Sequence, residues 1–129
     1  MSQDTAKIKE VAMDLDDALE QRDVKKAVNC FSDDCEIEFL GVLLKGKKGV
    51  EKWIRWIFSN VVDIRFVPQV ILIDNDTFFE EFSIEATLLN GKRIITKQAE
   101  VLIFENHKIK SLRLYMDRLD FADSIINGL

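Results

Sequence analysis

Beyond about residue 60 the chain stops repeating every three to four residues and begins to alternate. From Thr77 to Asp117 apolar and polar side chains take turns, and two turn dipeptides interrupt them, Asn90-Gly91 and Asn106-His107. Asn-Gly is the strongest two-residue hairpin signal among natural dipeptides, because both residues tolerate the left-handed backbone that a tight hairpin needs. Three strands follow: Thr77 to Leu89, Lys92 to Glu105, and Lys108 to Arg118. The β-rich run Asp63 to Ile73 precedes them across the turn cluster Asp74-Asn75-Asp76. The expected unit is a four-strand antiparallel meander. Such a sheet must bury a face, so the preceding segment has to supply a cover.

That segment is helical. Ile8, Val11, Ala12, Leu15, Ala18 and Leu19 recur at helical spacing between Thr5 and Gln21. Asp23 is placed to cap a second short helix, Val24 to Cys30. Phe31-Ser-Asp-Asp ends it, with Asp33 and Asp34 read as a turn. Glu36 to Leu40 is a short strand, with Gly41 to Lys45 as its hairpin partner. A third helix, Val50 to Asn60, carries Val50, Trp53, Ile54, Ile57 and Phe58 on one face. A last short helix is expected over Leu119 to Ile126. The class is α+β, with helices laid on one face of a curved antiparallel sheet.

Two-residue loops at both hairpins fix a register by counting. Glu105 then faces Lys108, which sets Glu100 opposite Arg113, Gln98 opposite Tyr115 and Thr96 opposite Asp117. Leu89 faces Lys92, which sets Glu81 opposite Glu100, Ser83 opposite Gln98 and Glu85 opposite Thr96. One sheet face is polar in this register: Glu81, Ser83, Glu85, Thr96, Gln98, Glu100, Arg113, Tyr115 and Asp117. The other carries Phe82, Ile84, Ala86, Ile95, Ala99, Val101, Ile103, Leu112, Leu114 and Met116. A bulge would shift part of the pattern. Pattern alone makes the apolar face the core and leaves the polar face to solvent.

Bulk properties exclude several classes. The 129 residues suit one domain, residues 1–129. The net charge is -5 with no Lys/Arg-rich block, so nucleic acid is not an expected partner. No apolar run is long enough to span a bilayer, and the first residues do not read as a signal peptide. The expected compartment is the cytoplasm. Cys30 and Cys35 are then reduced thiols that pack as small apolar side chains. Two Cys and one His are too few for a Cys/His zinc site. No phosphate loop or nucleophile elbow is present, so neither a metal nor a cofactor is expected.

Three segments carry a resemblance. They are Asp23 to Asp34, then Leu44-Lys-Gly-Lys-Lys-Gly-Val-Glu-Lys-Trp, then Phe104-Glu-Asn-His-Lys-Ile-Lys-Ser-Leu-Arg-Leu-Tyr-Met-Asp. In their order and spacing the chain resembles the nuclear-transport-factor-2-like superfamily, in its polyketide-cyclase (SnoaL-like) branch. The resemblance implies a cone-shaped curved sheet wrapped around N-terminal helices, the cystatin-like roll, with an apolar pocket inside. It includes ketosteroid isomerases, limonene-epoxide hydrolases, polyketide cyclases, and binding domains without chemistry.

The resemblance turns the polar face into the pocket, against the pattern-only reading. Asp117 then matches a pocket-facing acid at the end of the final strand and would transfer protons. Glu100 matches the acid that helps form an oxyanion hole in the isomerases. Arg113 and Tyr115 would orient a ligand oxygen, and one of Trp53 and Trp56, with Phe39 and Leu102, would line the pocket. The apolar outer face, including Leu114, would be covered by homodimerisation. The departures are as specific. The isomerase base falls at Phe39 and its oxyanion tyrosine at Leu15. The hydrolase Arg-x-Asp has no counterpart among Glu81, Ser83 and Glu85. Three readings follow: a cofactor-free lyase, isomerase, cyclase or hydrolase acting on an apolar carbonyl or epoxide compound; a non-catalytic pocket for an apolar small molecule; or a protein-interaction domain.

Overall fold

The computed structural model describes residues 2–117, with side chains described over residues 5–117. The expected helix over Leu119 to Ile126, and Arg118, lie outside the described residues. The elements are α1 (Ser2–Glu20), α2 (Val24–Asn29), β1 (Phe31–Phe39), β2 (Val42–Lys45), α3 (Gly46–Asn60), β3 (Val61–Asp74), β4 (Thr77–Leu88), β5 (Arg93–Glu105) and β6 (Lys108–Tyr115). The fold is α+β. The helices are those read from periodicity, because each presents one apolar stripe. Ile8, Leu15, Ala18 and Leu19 of α1, and Val50, Trp53 and Ile54 of α3, are buried. The Asp23 side chain accepts a bond from the Lys26 backbone N–H at 3.0 Å and starts α2. No helix among the described residues is long and apolar enough to cross a membrane.

The six strands form one sheet in the order β2-β1-β6-β5-β4-β3. The meander β3 to β6 is antiparallel throughout, and β1 joins it parallel to β6. Register shifts interrupt β1, β3 and β6, and bulges of this kind bend and twist strands. The one proline, Pro68, sits beside such a shift in edge strand β3, where a missing N–H costs no central pairing. Arg22 fastens the α1–α2 turn to this frame. Its guanidinium donates to the carbonyls of Phe58 at 2.8 Å and Val61 at 3.0 Å, and lies 4.7 Å from the centre of the Phe58 ring.

The counted register is off by one residue in two places, and each has a physical cause. The β4–β5 loop has three residues, not two. The Leu88 N–H donates to the Lys92 carbonyl at 2.9 Å, and Gly91 takes φ +85, as the three-residue hairpin with a left-handed glycine requires. The β5–β6 loop does have two residues, with Asn106 and His107 both left-handed. A bulge follows at once: Phe104 pairs with Ile109, but Ile103 pairs with Ser111. The extra residue lets Ile109 and Leu112, three apart, both point inward and both be buried. Glu100 therefore faces Glu80 across β4 and Leu114 across β6, not Glu81 and Arg113.

Each of the two expected faces is thereby half exchanged. Phe78, Glu80, Phe82, Ile84 and Ala86 of β4 point in, with Gln98, Glu100, Leu102 and Phe104 of β5 and Leu112 of β6. Arg113 and Tyr115 move to the outer face. Phe31 to Asp34 also differ from the reading: they begin β1, and the Asp34 carboxylate pairs with Lys110 at 2.9 Å. Cys30 and Cys35 are buried free thiols, and burial pushes the Cys30 thiol up to about 11.

Candidate acid cluster in an apolar cavity

A cavity lies between α1, α3 and the inner face of strands β3 to β6. Its walls are apolar: Leu15 and Leu19 from α1, Trp53, Trp56 and Ile57 from α3, Phe66 from β3, Phe82 and Ile84 from β4, and Leu114 of β6 with Met116 just past it. About 50 Å³ of it is open to the centre of a water molecule. Phe66 and Phe82 pack with ring centres 6.0 Å apart. The polar groups at this wall are few, and they converge.

Three carboxyl groups meet at one end. Glu80 and Glu100 are directly paired on neighbouring strands, and Asp16 reaches them from α1. Oxygens from all three lie within 4.8 Å of one another. Glu80 is 1% exposed and Glu100 7%. Asp16 and Glu100 line the cavity, while Glu80 stands behind and shares a hydrogen bond with Glu100. Three negative charges cannot occupy so small and dry a volume. Burial, then the neighbouring Glu80 and Glu20, pushes Asp16 up to about 8. Burial, then Asp16 and Glu80, holds Glu100 well above the usual carboxylate range. Burial raises Glu80 too, but its bond with Glu100 pulls it back down. Glu100 is thus the protonated partner that donates, and Glu80 the acceptor. Among the described residues this is also the group of acidic side chains close enough to surround a metal ion.

Of the remaining polar groups at the site, Asn60 donates to the Trp56 carbonyl at 2.8 Å, and several others are unpartnered. Gln98 is 3% exposed and lines the cavity two residues before Glu100, yet neither its amide nitrogen nor its oxygen has a hydrogen-bond partner. The same holds for the Trp53 indole nitrogen, on a residue 4% exposed, and for Glu80 Oε2. Leaving a buried polar group unmade costs about 1–3 kcal/mol, so several around one cavity mark a place prepared for something else. No Lys, Arg or His lines the cavity among the described residues.

Glu100, Trp53 and Trp56 line the cavity, so both tryptophans rather than one are at its wall. Phe39 is buried beside it, with its ring centre 5.4 Å from that of Trp56, and Leu102 is buried in the core. Neither Phe39 nor Leu102 is part of the lining. Asp117, Arg113 and Tyr115 are elsewhere. Asp117 is exposed on the outer face near Glu81, Lys97 and Tyr115. The Arg113 Nε–H donates to the Tyr115 hydroxyl at 3.3 Å, and Tyr115 is 55% exposed. The bulge in β6 is the reason for all three. Asp16, Glu80 and Gln98 were not singled out as site residues. Glu80 was legible, since it shares the parity of Phe78, Phe82 and Ile84. Asp16 was legible as an acid on the apolar stripe of α1, one turn beyond Ala12.

No curated protein matches this sequence. Solved structures match the fold closely. An NTF2-like protein of unknown function from Burkholderia pseudomallei is 18% identical with a TM-score of 0.79, covering 86% of this chain and 91% of that one. SalBIII, an epoxide hydrolase/cyclase-like enzyme with a role in pyran ring formation in the polyether salinomycin, is 19% identical with a TM-score of 0.80, covering 92% and 96%. TerC, crystallised with polyporic acid, is 16% identical with a TM-score of 0.80, covering 93% and 98%. At these identities the likeness is one of fold. The sequence itself matches the SnoaL-like domain model over residues 13–112, from the middle of α1 through Leu112 of β6. With most of its length inside that match and its helices laid in the curve of a six-stranded sheet, the chain belongs to the SnoaL-like domain family.

Proposed function

We propose that this chain, as a single domain, holds an apolar small molecule in its cavity and moves a proton on it through Asp16 and Glu100. The observation that supports this most is the acid cluster set in an otherwise apolar wall. Two carboxyl groups there have different jobs by environment. Glu100 is held neutral and can donate its O–H to a ligand oxygen; Asp16, nearer its ionisation point, can accept a proton. With an apolar ketone, the Asp16 carboxylate takes the proton next to the carbonyl. The C–H electrons form a C=C bond, the carbonyl electrons move onto oxygen, and Glu100 supplies the hydrogen bond or proton that stabilises it. That is the first step of a cofactor-free isomerase or cyclase, and the same pair serves epoxide opening. The proton-transfer role read onto Asp117 passes to these two groups. SalBIII's description as an epoxide hydrolase/cyclase-like enzyme is in keeping with it.

Cyclohexanone is a suitable probe, with Trp53 and Trp56 emission reporting occupancy. The wild-type protein is expected to quench on binding and to speed exchange of the ketone's α-hydrogens in heavy water, read by NMR. Glu100→Gln is expected to lower the exchange rate about 100-fold while changing affinity little. Binding without exchange in the wild type leaves the pocket as a binding module. No quenching at all removes the pocket reading.

The proposal also includes a cytoplasmic homodimer, formed through the outer sheet face. Leu72, Phe79 and Val101 form one row across that face, ending at Arg113. Val70, Ile95 and Tyr115 lie exposed around it. Leu112 and Leu114, first assigned to this surface, point inward. Sedimentation at micromolar concentration should give a dimer for the native chain and a folded monomer for Val101→Arg. A monomeric native chain would remove the interface.

A further inference from the structure

The acid end of the cavity is rich in acceptors, although Gln98 Nε2 and the Trp53 indole nitrogen are unpartnered donors beside them. Asp16 and Glu100 present carboxyl oxygens to it, Gln98 presents an unpartnered amide oxygen, and Glu80 Oε2 is a further unpartnered acceptor behind them. No basic side chain balances them at the lining. Gln98 is not part of the acid cluster, is 3% exposed, and has no partner for any of its polar atoms, so it points to a ligand independently of the acids. The wall facing these groups includes the rings of Trp53, Trp56, Phe66 and Phe82. An anionic ligand would face the carboxyl cluster with no basic side chain at the lining to balance its charge. A bare metal ion would use the carboxylates but nothing of the hydrocarbon and aromatic wall.

We infer that the cavity takes an apolar compound carrying a basic nitrogen, whose ammonium group sits between Asp16, Glu100 and Gln98 against the aromatic wall. This names the ligand class for the pocket reading above and rests on it. An ammonium supplies up to three N–H donors and no acceptor, which matches the acceptor-rich end. Charge-assisted bonds to carboxylates and contact with aromatic faces both favour it over a neutral group of the same shape. The hydrocarbon part fills the apolar remainder.

Binding has a proton balance. An ammonium ion enters with its charge, and one carboxyl proton leaves to solvent, so the site's net charge is unchanged. Asp16 is the group that gives it up most readily; Glu80 and Glu100 face it from β4 and β5, and Asp17 and Glu20 stand near it on α1. Below about pH 8, each amine bound should release about one proton, and affinity should rise up to about tenfold per pH unit between about pH 6 and about pH 8. A neutral ligand has no such dependence.

The test compares cyclohexylmethylamine, cyclohexylmethanol and cyclohexanecarboxylate by calorimetry and tryptophan quenching, in buffers of different ionisation enthalpy. At about pH 8 the amine is expected to bind at least about tenfold tighter than the alcohol, with proton release, and the carboxylate not to bind. Asp16→Asn, which removes the group that ionises, should erase both the amine's advantage and its proton release, and a melt that stays cooperative separates this from loss of folding. If the alcohol binds as well as the amine and no proton is released, the amine inference fails and the pocket reading stands. If none of the three binds, both fail. If magnesium, manganese or zinc chloride alone binds at micromolar concentration and displaces the amine, the cluster is a metal site and the inference is overturned.

Discussion

The folded protein should lose stability as the pH rises from about 5.5 to about 8.5, by on the order of 2 kcal/mol. Asp16 ionises at 3.8 when unperturbed and at about 8 in the fold, so across that interval the native state holds a proton that the unfolded chain has already released. The native state binding more protons means that unfolding becomes easier as protons become scarce. The contribution is fully present below the unfolded value and is lost as pH climbs through the folded one. Glu100, raised for the same reasons, adds in the same direction. The full four-unit gap would correspond to about 6 kcal/mol at about 1.4 kcal/mol per unit. Asp16 is only partly buried, so solvent screens it and the smaller figure applies. Asp34 works oppositely and Lys110 in the same direction as Asp16, both outside this window. Their pairing lowers the Asp34 carboxyl below its usual value and raises the Lys110 amine above its own. Urea midpoints at the two pH values measure the effect. Asp16→Asn should flatten the profile and raise stability at the alkaline end. A wild-type midpoint that is level or higher at about pH 8.5 would show that the cluster is solvated and carries no shared proton.

The elements were legible in this sequence because their signals are local. The stripe Ile8, Leu15 and Leu19 and the alternation in β4 and β5 depend only on neighbours a few residues away. The family resemblance was legible for a related reason, since its three segments fall at the α2 to β1 passage, the start of α3 and the last hairpin, which are turns that set element order. Strand register was not legible at the same level. Two single-residue events, the three-residue loop at Gly91 and the bulge after Ile109, exchange the faces of half the sheet. Neither has a strong local signal: Asn90-Gly91 serves either loop length, and Lys110 looks like any outward-facing strand residue. The consequences are concentrated on function. Glu100 stayed inside because β5 keeps its parity with Leu102 and Phe104, and Asp117 went outside because it lies past the bulge. Asp16 could not be joined to Glu80 and Glu100 by counting at all, since a helix meets a strand by packing and not by register.

Gln98→Met should make the protein more stable and a poorer binder. The substitution keeps the length and flexibility of the side chain and removes an amide whose nitrogen and oxygen are both buried without partners. An unsatisfied buried group costs about 1–3 kcal/mol, and an apolar replacement of similar shape recovers much of it, so a gain of about 1–2 kcal/mol is expected. In a domain of this size that corresponds to a melting temperature about 4–8 °C higher. Natural cores rarely keep such a liability without use, and stabilising substitutions at a working site usually cost activity. Affinity for cyclohexylmethylamine should therefore fall about tenfold in the same variant, while cyclohexanone exchange, which relies on Asp16 and Glu100, should change less. Scanning calorimetry and the quenching titration read the two halves separately. A melting temperature that falls would mean that the amide is satisfied in solution, by ordered water in the cavity, and that Gln98 holds the fold rather than the ligand. A rise with unchanged amine affinity would leave the strain real but detach it from binding.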